Sequence, residues 1–174
     1  MSNSANPIAT GVPAEAILDI MDSLGVTDVV CVPDSFQKTL ISKLSDRQSP
    51  RFMVVCTEDE GIGVNAGLYM GGRSPMMMIQ NNGIFAALNT IKAIALDAKV
   101  PTLMFVGQFQ RDVHKPIEEQ GSRAVRMLEP TLATWGVPYW RLEGPEDLET
   151  IRLAHAEAWA TGGPAVVIIG APTI

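Results

Sequence analysis

Two hydrophobic periods take turns along this chain. Over residues 14–24 the apolar positions Ile17, Leu18 and Met21 keep the three-to-four spacing of an amphipathic helix, which Gly25 ends. Residues 28–32 follow as a short β-branched strand stopped by Pro33. The same alternation predicts a helix over 36–44, a strand over 51–57 whose run Met53-Val54-Val55-Cys56-Thr57 reads as buried, a helix of small residues from 58 past 67, and a strand over 75–80. One long helix is expected from 83 to 98, then a strand over 102–107. A polar stretch without apolar periodicity covers 108–123, and a helix over 125–135, a strand over 138–142, a helix over 145–160 and a strand over 165–169 complete the series.

Repeated strand–helix units with continuously apolar strands predict an α/β fold: a doubly wound, mostly parallel sheet of about six strands with helices on both faces. No internal repeat or linker is visible, and the Gly162-Gly163-Pro164 turn is too short for a boundary. The expected organisation is a flexible N-terminus over 1–12 and a single domain over 13–174, long enough to enclose a sizeable core.

Composition narrows the partners. Hydrophobic residues make up 47% and the formal charge is −6, which argues against disorder beyond the first ten or so residues and leaves no electrostatic footprint for nucleic acid. No apolar run approaches the ~18 residues that a membrane span needs. The N-terminus has neither a basic segment nor an apolar core, so no signal peptide is expected and the chain reads as cytoplasmic. Cys31 and Cys56 fall in predicted buried strands and read as reduced core residues.

Glu58 is the most informative position. It follows a predicted strand and opens Glu58-Asp59-Glu60-Gly61-Ile62-Gly63, continuing to Gly67, so it stands at the C-terminal edge of a parallel sheet, where open α/β folds bind ligands. A carboxylate there can be desolvated and aimed at one ligand atom, while small residues such as Gly61 and Gly63 leave room for a flat ring. The alternative is a helix start with first-turn acids that favour the dipole. Asp34 and Ser35 have the same double reading: helix caps, or a loop over an anionic group with backbone N–H groups and Ser35 as donors. Gln80, Asn81 and Asn82 close an otherwise apolar strand and need partners, although Asn82 also suits an N-cap. Within the polar stretch, His114 is within reach of such an edge, whereas the whole stretch also reads as a solvated crossover. His155 sits on a helix, and a surface role is expected of it.

These residues carry a resemblance. The Glu58 segment with Gly67 nine positions on resembles the pyrimidine-binding (PYR) domain of thiamine-diphosphate-dependent enzymes. Val32-Pro33-Asp34-Ser35 is similar to the substrate-side loop of phosphonopyruvate decarboxylases. Gln80-Asn81-Asn82-Gly83 resembles the Gln-Asn-Ser-Gly of sulfopyruvate and phosphonopyruvate decarboxylases. Together the motifs resemble the α-subunit type of sulfopyruvate decarboxylase, in which this domain is a separate polypeptide. The resemblance implies thiamine diphosphate as cofactor, with Glu58 hydrogen-bonding N1′ of its aminopyrimidine to favour the imino tautomer and Gln80, Asn81 and Asn82 nearby. It implies a small anionic 2-oxo acid as substrate, near Asp34, Ser35, Phe85, Arg111 and His114. Glu60 does not match the family spacing to Gly67 and is expected to be a helix-dipole or interface acid.

The chain also departs from that pattern. Phe85-Ala86-Ala87 stands where the decarboxylases carry Gly-Asn-Ser, and Asn82 replaces serine, which removes polar groups and points toward a less polar 2-oxo acid. The Gly-Asp-Gly with which such enzymes hold Mg²⁺ and the diphosphate is missing, so no metal ligand is assigned to this chain. The resemblance then implies that Mg²⁺ is bound mainly by a partner β subunit carrying the diphosphate-binding domain, in a homo- and hetero-oligomer. The other class of function is a non-catalytic binding or regulatory subunit that keeps the fold. A complete small enzyme of another doubly wound family is the third reading, and the lack of a second motif counts against it.

Overall fold

The computed structural model describes residues 11–174. Residues 1–10, most of the terminus expected to be flexible, lie outside the described residues. Val12 is buried, donates its N–H to the Pro172 carbonyl at 3.0 Å and bridges Thr173 in parallel.

Six parallel strands form one sheet in the order β2-β1-β3-β4-β6-β5. They are β1 (Asp28–Cys31), β2 (Arg51–Val54), β3 (Pro75–Gln80), β4 (Thr102–Gly107), β5 (Tyr139–Leu142) and β6 (Pro164–Ile169). Period-two alternation divides the central strands between two cores. Val29, Met76, Phe105 and Val167 face one layer, formed by α1 (Ala14–Ser23), α2 (Lys38–Ser45) and α7 (Glu149–Thr161). Val30, Met77, Met104 and Val166 face the other, formed by α3 (Glu58–Met70), α4 (Asn81–Ala86) and α6 (Arg123–Thr134). The doubly wound sheet with helices on both faces is therefore present, and every pairing in it is parallel. At its N-terminal edge, the fully buried Asp28 is held by Arg51, Arg73 and Thr27.

The topology creates one crevice directly. β1 leads to α2 on one face, while its neighbour β3 leads to α4 on the other, so the chain diverges between their C-terminal ends. Open parallel sheets bind ligands at such a switch point.

Three local expectations are corrected. The run over 53–57 is not a buried strand: β2 is an edge strand, Val54 is 60% exposed and Cys56 is exposed as well. Apolar composition cannot tell an edge from a centre, because both use β-branched and aromatic residues. The helix expected over 83–98 is broken. α4 ends at Ala86, α5 (Leu88–Thr90) follows after Ala87, and the turns then widen into a π-helix over Ile91–Asp97. Residues 84–98 contain neither Gly nor Pro to announce this. Gly61 leaves no room for a ring; it is buried, and a side chain there would press on Met77.

Candidate active site

The C-terminal ends of the strands carry the chain's polar chemistry, and each charged group there settles by a different route. Thr57 caps α3 and accepts the Glu60 N–H at 3.3 Å, while the Glu60 carboxylate reaches back to the Cys56 N–H at 2.7 Å. This is a capping-box arrangement shifted by one residue, and it commits Glu60 to the helix start. The side chain of Glu58, in the first position of the same helix, makes no hydrogen bond among the described residues. Its half-buried side chain lies over Gly83 of α4: a Cβ on that glycine would stand 2.5 Å from Cγ and 2.6 Å from Oε1.

The Gln80–Asn82 segment divides its side chains. Asn81 is buried and donates to the Phe109 carbonyl at 3.2 Å, pinning the start of the loop after β4. Its Oδ1 accepts the Asn82 N–H at 3.0 Å. Asn82 is exposed beside Gln80 and donates to its Oε1 at 3.3 Å. Gln80 and Asn82 thus stay on the outer side of the edge with Glu58, and Asn81 turns inward. Phe85, two positions past Gly83, points across α4 from the Glu58 seat. It lines a shallow, mostly apolar groove of about 350 Å³ with Met127 and Thr131.

Asp34 and Ser35 part company. Ser35 is exposed, but Asp34 is buried and packs where a Gly107 side chain would stand. Its carboxylate accepts the Phe36 N–H at 3.2 Å and a Gln37 side-chain N–H at 3.2 Å. Burial outweighs those donors and raises its pKa above the usual carboxylate range. Nearby, burial and the Asp34 charge push the Cys31 thiol up to about 12, so that sulfur is inert. Asp34 is a buried cap that shapes the loop, and Ser35 is the residue of the pair that faces outward.

Arg111 is folded inward too. Its guanidinium sits over Gly170, pairs with Glu143 at 2.5 Å and donates to Gln108 Oε1 at 2.6 Å. Its Nε and the Gln108 Nε2 are buried without a partner among the described residues. His114 is exposed, with its N–H on Asp112, and does not join this cluster. The loop itself is ordered by Gln120, which is buried and bonds the backbone of Asp112 in both directions and the Lys115 carbonyl at 2.8 Å.

The structure therefore seats Glu58 on Gly83, joins Gln80 to Asn82 at the start of the same helix α4, sets Ser35 on the loop after β1, turns Phe85 into the groove with Met127 and Thr131, and leaves His114 exposed. Sequence reasoning assigned nothing to Gly83, Gln37, Gln108 or Glu143. Thr57-x-x-Glu60 was the available signal for the cap, and glycines at strand ends were the signal for close approach. Among the described residues no group of three or more His, Cys, Asp or Glu could hold a metal ion, and no helix is long and apolar enough to cross a membrane.

Residues 13–126 match the family described as thiamine pyrophosphate enzyme, N-terminal TPP binding domain. Over 137 residues the chain is 30% identical to the sulfopyruvate decarboxylase subunit alpha of Methanococcus maripaludis, covering 77% of this chain and 79% of that one. It is 22% identical over 157 residues to the subunit of the same description in Methanocaldococcus jannaschii, covering 90% of this chain and 92% of that one. To the phosphonopyruvate decarboxylase of Streptomyces hygroscopicus it is 29% identical over 93 residues, 53% of this chain and 23% of the other. In fold it is similar to the crystal structure of benzoylformate decarboxylase from Polynucleobacter necessarius, with a TM-score of 0.67 and 21% identity over 95% of this chain and 32% of that one.

Proposed function

The chain belongs to the thiamine pyrophosphate enzymes, as their N-terminal TPP binding domain, and on that premise we propose that it is the α-type subunit of a thiamine-diphosphate-dependent 2-oxo acid decarboxylase. The observation that carries this reading is the Glu58 carboxylate: at the sheet's C-terminal edge, seated on Gly83, and without a protein hydrogen-bond partner among the described residues. Nothing in the packing of this chain requires an acid there. A partnerless carboxylate at a switch-point edge suits a ligand that brings a donor to it.

The residues fit the aminopyrimidine end of the cofactor. Glu58 would hold a proton at the ring nitrogen N1′, and Gln80 and Asn82 offer amide donors and acceptors beside it. When bound, thiamine diphosphate supplies the carbanion chemistry at its thiazolium ring that lets a 2-oxo acid lose CO₂. The residues do not fit Mg²⁺ and a diphosphate, for which the described part of the chain offers no acidic cluster. A partner β subunit carrying the diphosphate-binding domain accounts for that half, in a cytoplasmic assembly with at least two copies of each chain. The relatives named above support a small 2-oxo acid with a second anionic group as substrate. Ser35, exposed on the loop after β1, is its donor on this chain.

Co-expression tests the proposal. Decarboxylation of sulfopyruvate or phosphonopyruvate is expected from the co-purified pair and from neither chain alone. Tight, Mg²⁺-dependent cofactor binding by this chain alone would overturn the division of labour. A co-purified pair inactive on all 2-oxo acids tested would favour a regulatory subunit.

A further inference from the structure

We infer that Gly83 is the positioning residue for Glu58, a seat whose lack of a side chain fixes where the carboxylate points; the inference rests on the role of Glu58 proposed above. Glu58 lies in the first turn of α3, where a glutamate ordinarily samples several rotamers, and no hydrogen bond among the described residues restrains it. What restrains it is contact. Gly83 lies buried at the third position of α4, and a Cβ there would come within 2.5 Å of Cγ, 2.6 Å of Oε1 and 2.7 Å of Cδ of Glu58. All three nearest atoms belong to that one side chain.

The glycine is not explained by conformation, since its φ is not positive. A helix would ordinarily gain from alanine at this position. Nor is it a general packing glycine like Gly61, which receives Met77 from the sheet. Gly63 and Gly67, on the outer side of α3, have nothing within 4 Å. Three other glycines of the C-terminal edge also take charged side chains, Gly107 from Asp34, Gly170 from Arg111 and Glu143, and Gly144 from Glu146 two residues on. Asp34, Arg111 and Glu143 have protein hydrogen bonds or ion pairs to hold them as well, and Glu146 is an exposed neighbour in the same turn as its glycine. Among these seats, Gly83 is the one where a side chain from another element is held by van der Waals contact without a hydrogen bond or ion pair among the described residues.

An alanine Cβ needs about 3.5–4 Å from the carboxylate carbons, so it drives the Glu58 head away by roughly 1 Å. That retreat is inexpensive, because the head is the free end of a flexible side chain. Gly83→Ala is therefore expected to leave fold and assembly intact while misaiming the carboxylate, and a misplacement of about 1 Å can lower a rate roughly 10²-fold.

Two measurements test this. On the isolated chain, Gly83→Ala is compared in the native and Glu58→Ala backgrounds by thermal denaturation. Without the glutamate, the better helix former should raise Tm by about 2–4 °C; with it, the gain should shrink or vanish. Equal shifts in both backgrounds would overturn the inference. A crystal structure of Gly83→Ala should show Glu58 swung off α4, and an unmoved side chain would count equally against it. In the co-purified complex, kcat should fall about 10²-fold with KM for the 2-oxo acid unchanged. Full activity of Gly83→Ala alongside an inactive Glu58→Gln would overturn the seat and leave the function standing. An active Glu58→Gln would instead remove the function, and the Tm comparison would then decide the seat by itself.

Discussion

Glu58 and Glu60 stand two residues apart in one helix turn and should separate cleanly under mutation. Glu58→Gln removes a carboxylate that no protein group among the described residues contacts by hydrogen bond, so its effect on stability should not exceed the first-turn dipole contribution of about 0.3–1 kcal/mol, a Tm change of roughly 4 °C or less. Its effect on chemistry should be large. The amide keeps the shape but cannot share a proton with the cofactor ring, and general acid–base contributions of ~10²–10⁴-fold correspond to about 2.7–5.4 kcal/mol of barrier. Glu60 should behave oppositely. Glu60→Gln keeps an oxygen for the Cys56 N–H and loses only the dipole term of about 0.3–1 kcal/mol. Glu60→Ala also loses the reciprocal cap and should cost about 1–2 kcal/mol, several degrees of Tm. The assays are thermal denaturation of the chain alone and hydrogen–deuterium exchange at C2 of the cofactor bound to the αβ complex. Normal exchange in Glu58→Gln with a collapse in Glu60→Gln would show that the roles are reversed. Normal exchange in both would end the enzymatic reading.

Three further outcomes follow from buried groups. Gly107→Ala should cost about 2–4 kcal/mol, because Asp34 fills that space and would lose its donors on leaving; the loss should shrink in an Asp34→Ala background, and equal losses would refute the packing argument. Asp28→Asn should cost about 2 kcal/mol, the low side for breaking a buried pair, because the Arg51 and Arg73 partners stay half in water. Those arginines hold the Asp28 pKa below the usual range despite its burial, so the contribution is complete above roughly pH 4 and fades as pH falls through the lowered value; acid titrations of both proteins followed by Tm would reveal it. His155 stacks on Trp159 at 4.2 Å and burial lowers its pKa. Stability should therefore be full above about pH 6.5 and decline below it as the unfolded state takes up the proton first; His155→Phe should flatten that decline, and an unchanged profile would assign it elsewhere.

The fold was legible because its signals are local. Ile17, Leu18 and Met21, or the run Pro75 to Gln80, declare their period within a few residues, and repeated strand–helix units leave little choice but a parallel sheet. What failed was decided at longer range. Nothing in Phe52-Met53-Val54 says that β2 ends the sheet, since strand order is set by crossovers elsewhere in the chain. The π-helical turns of 91–97 have no Gly or Pro to mark them, although Ile91 and Ala95 within them face the core.

The site divides along the same line. Glu58 could be picked out because a strand end followed by a helix start puts a residue on the binding edge whatever the rest of the chain does. Its separation from Glu60 was also written locally, in the Thr57-x-x-Glu60 cap. Arg111 could not be judged that way. As a lone cation in a polar loop it suggests an anion receptor, but its partner Glu143 is 32 positions on, at the end of β5, and only the sheet order brings the two together over Gly170. A charged residue at this edge is available to a ligand only if no opposite charge arrives from a neighbouring strand end. Arg111 is committed to the protein by that criterion and Asp34 by its local donors, whereas Glu58, the acid that the proposed function uses, has neither among the described residues.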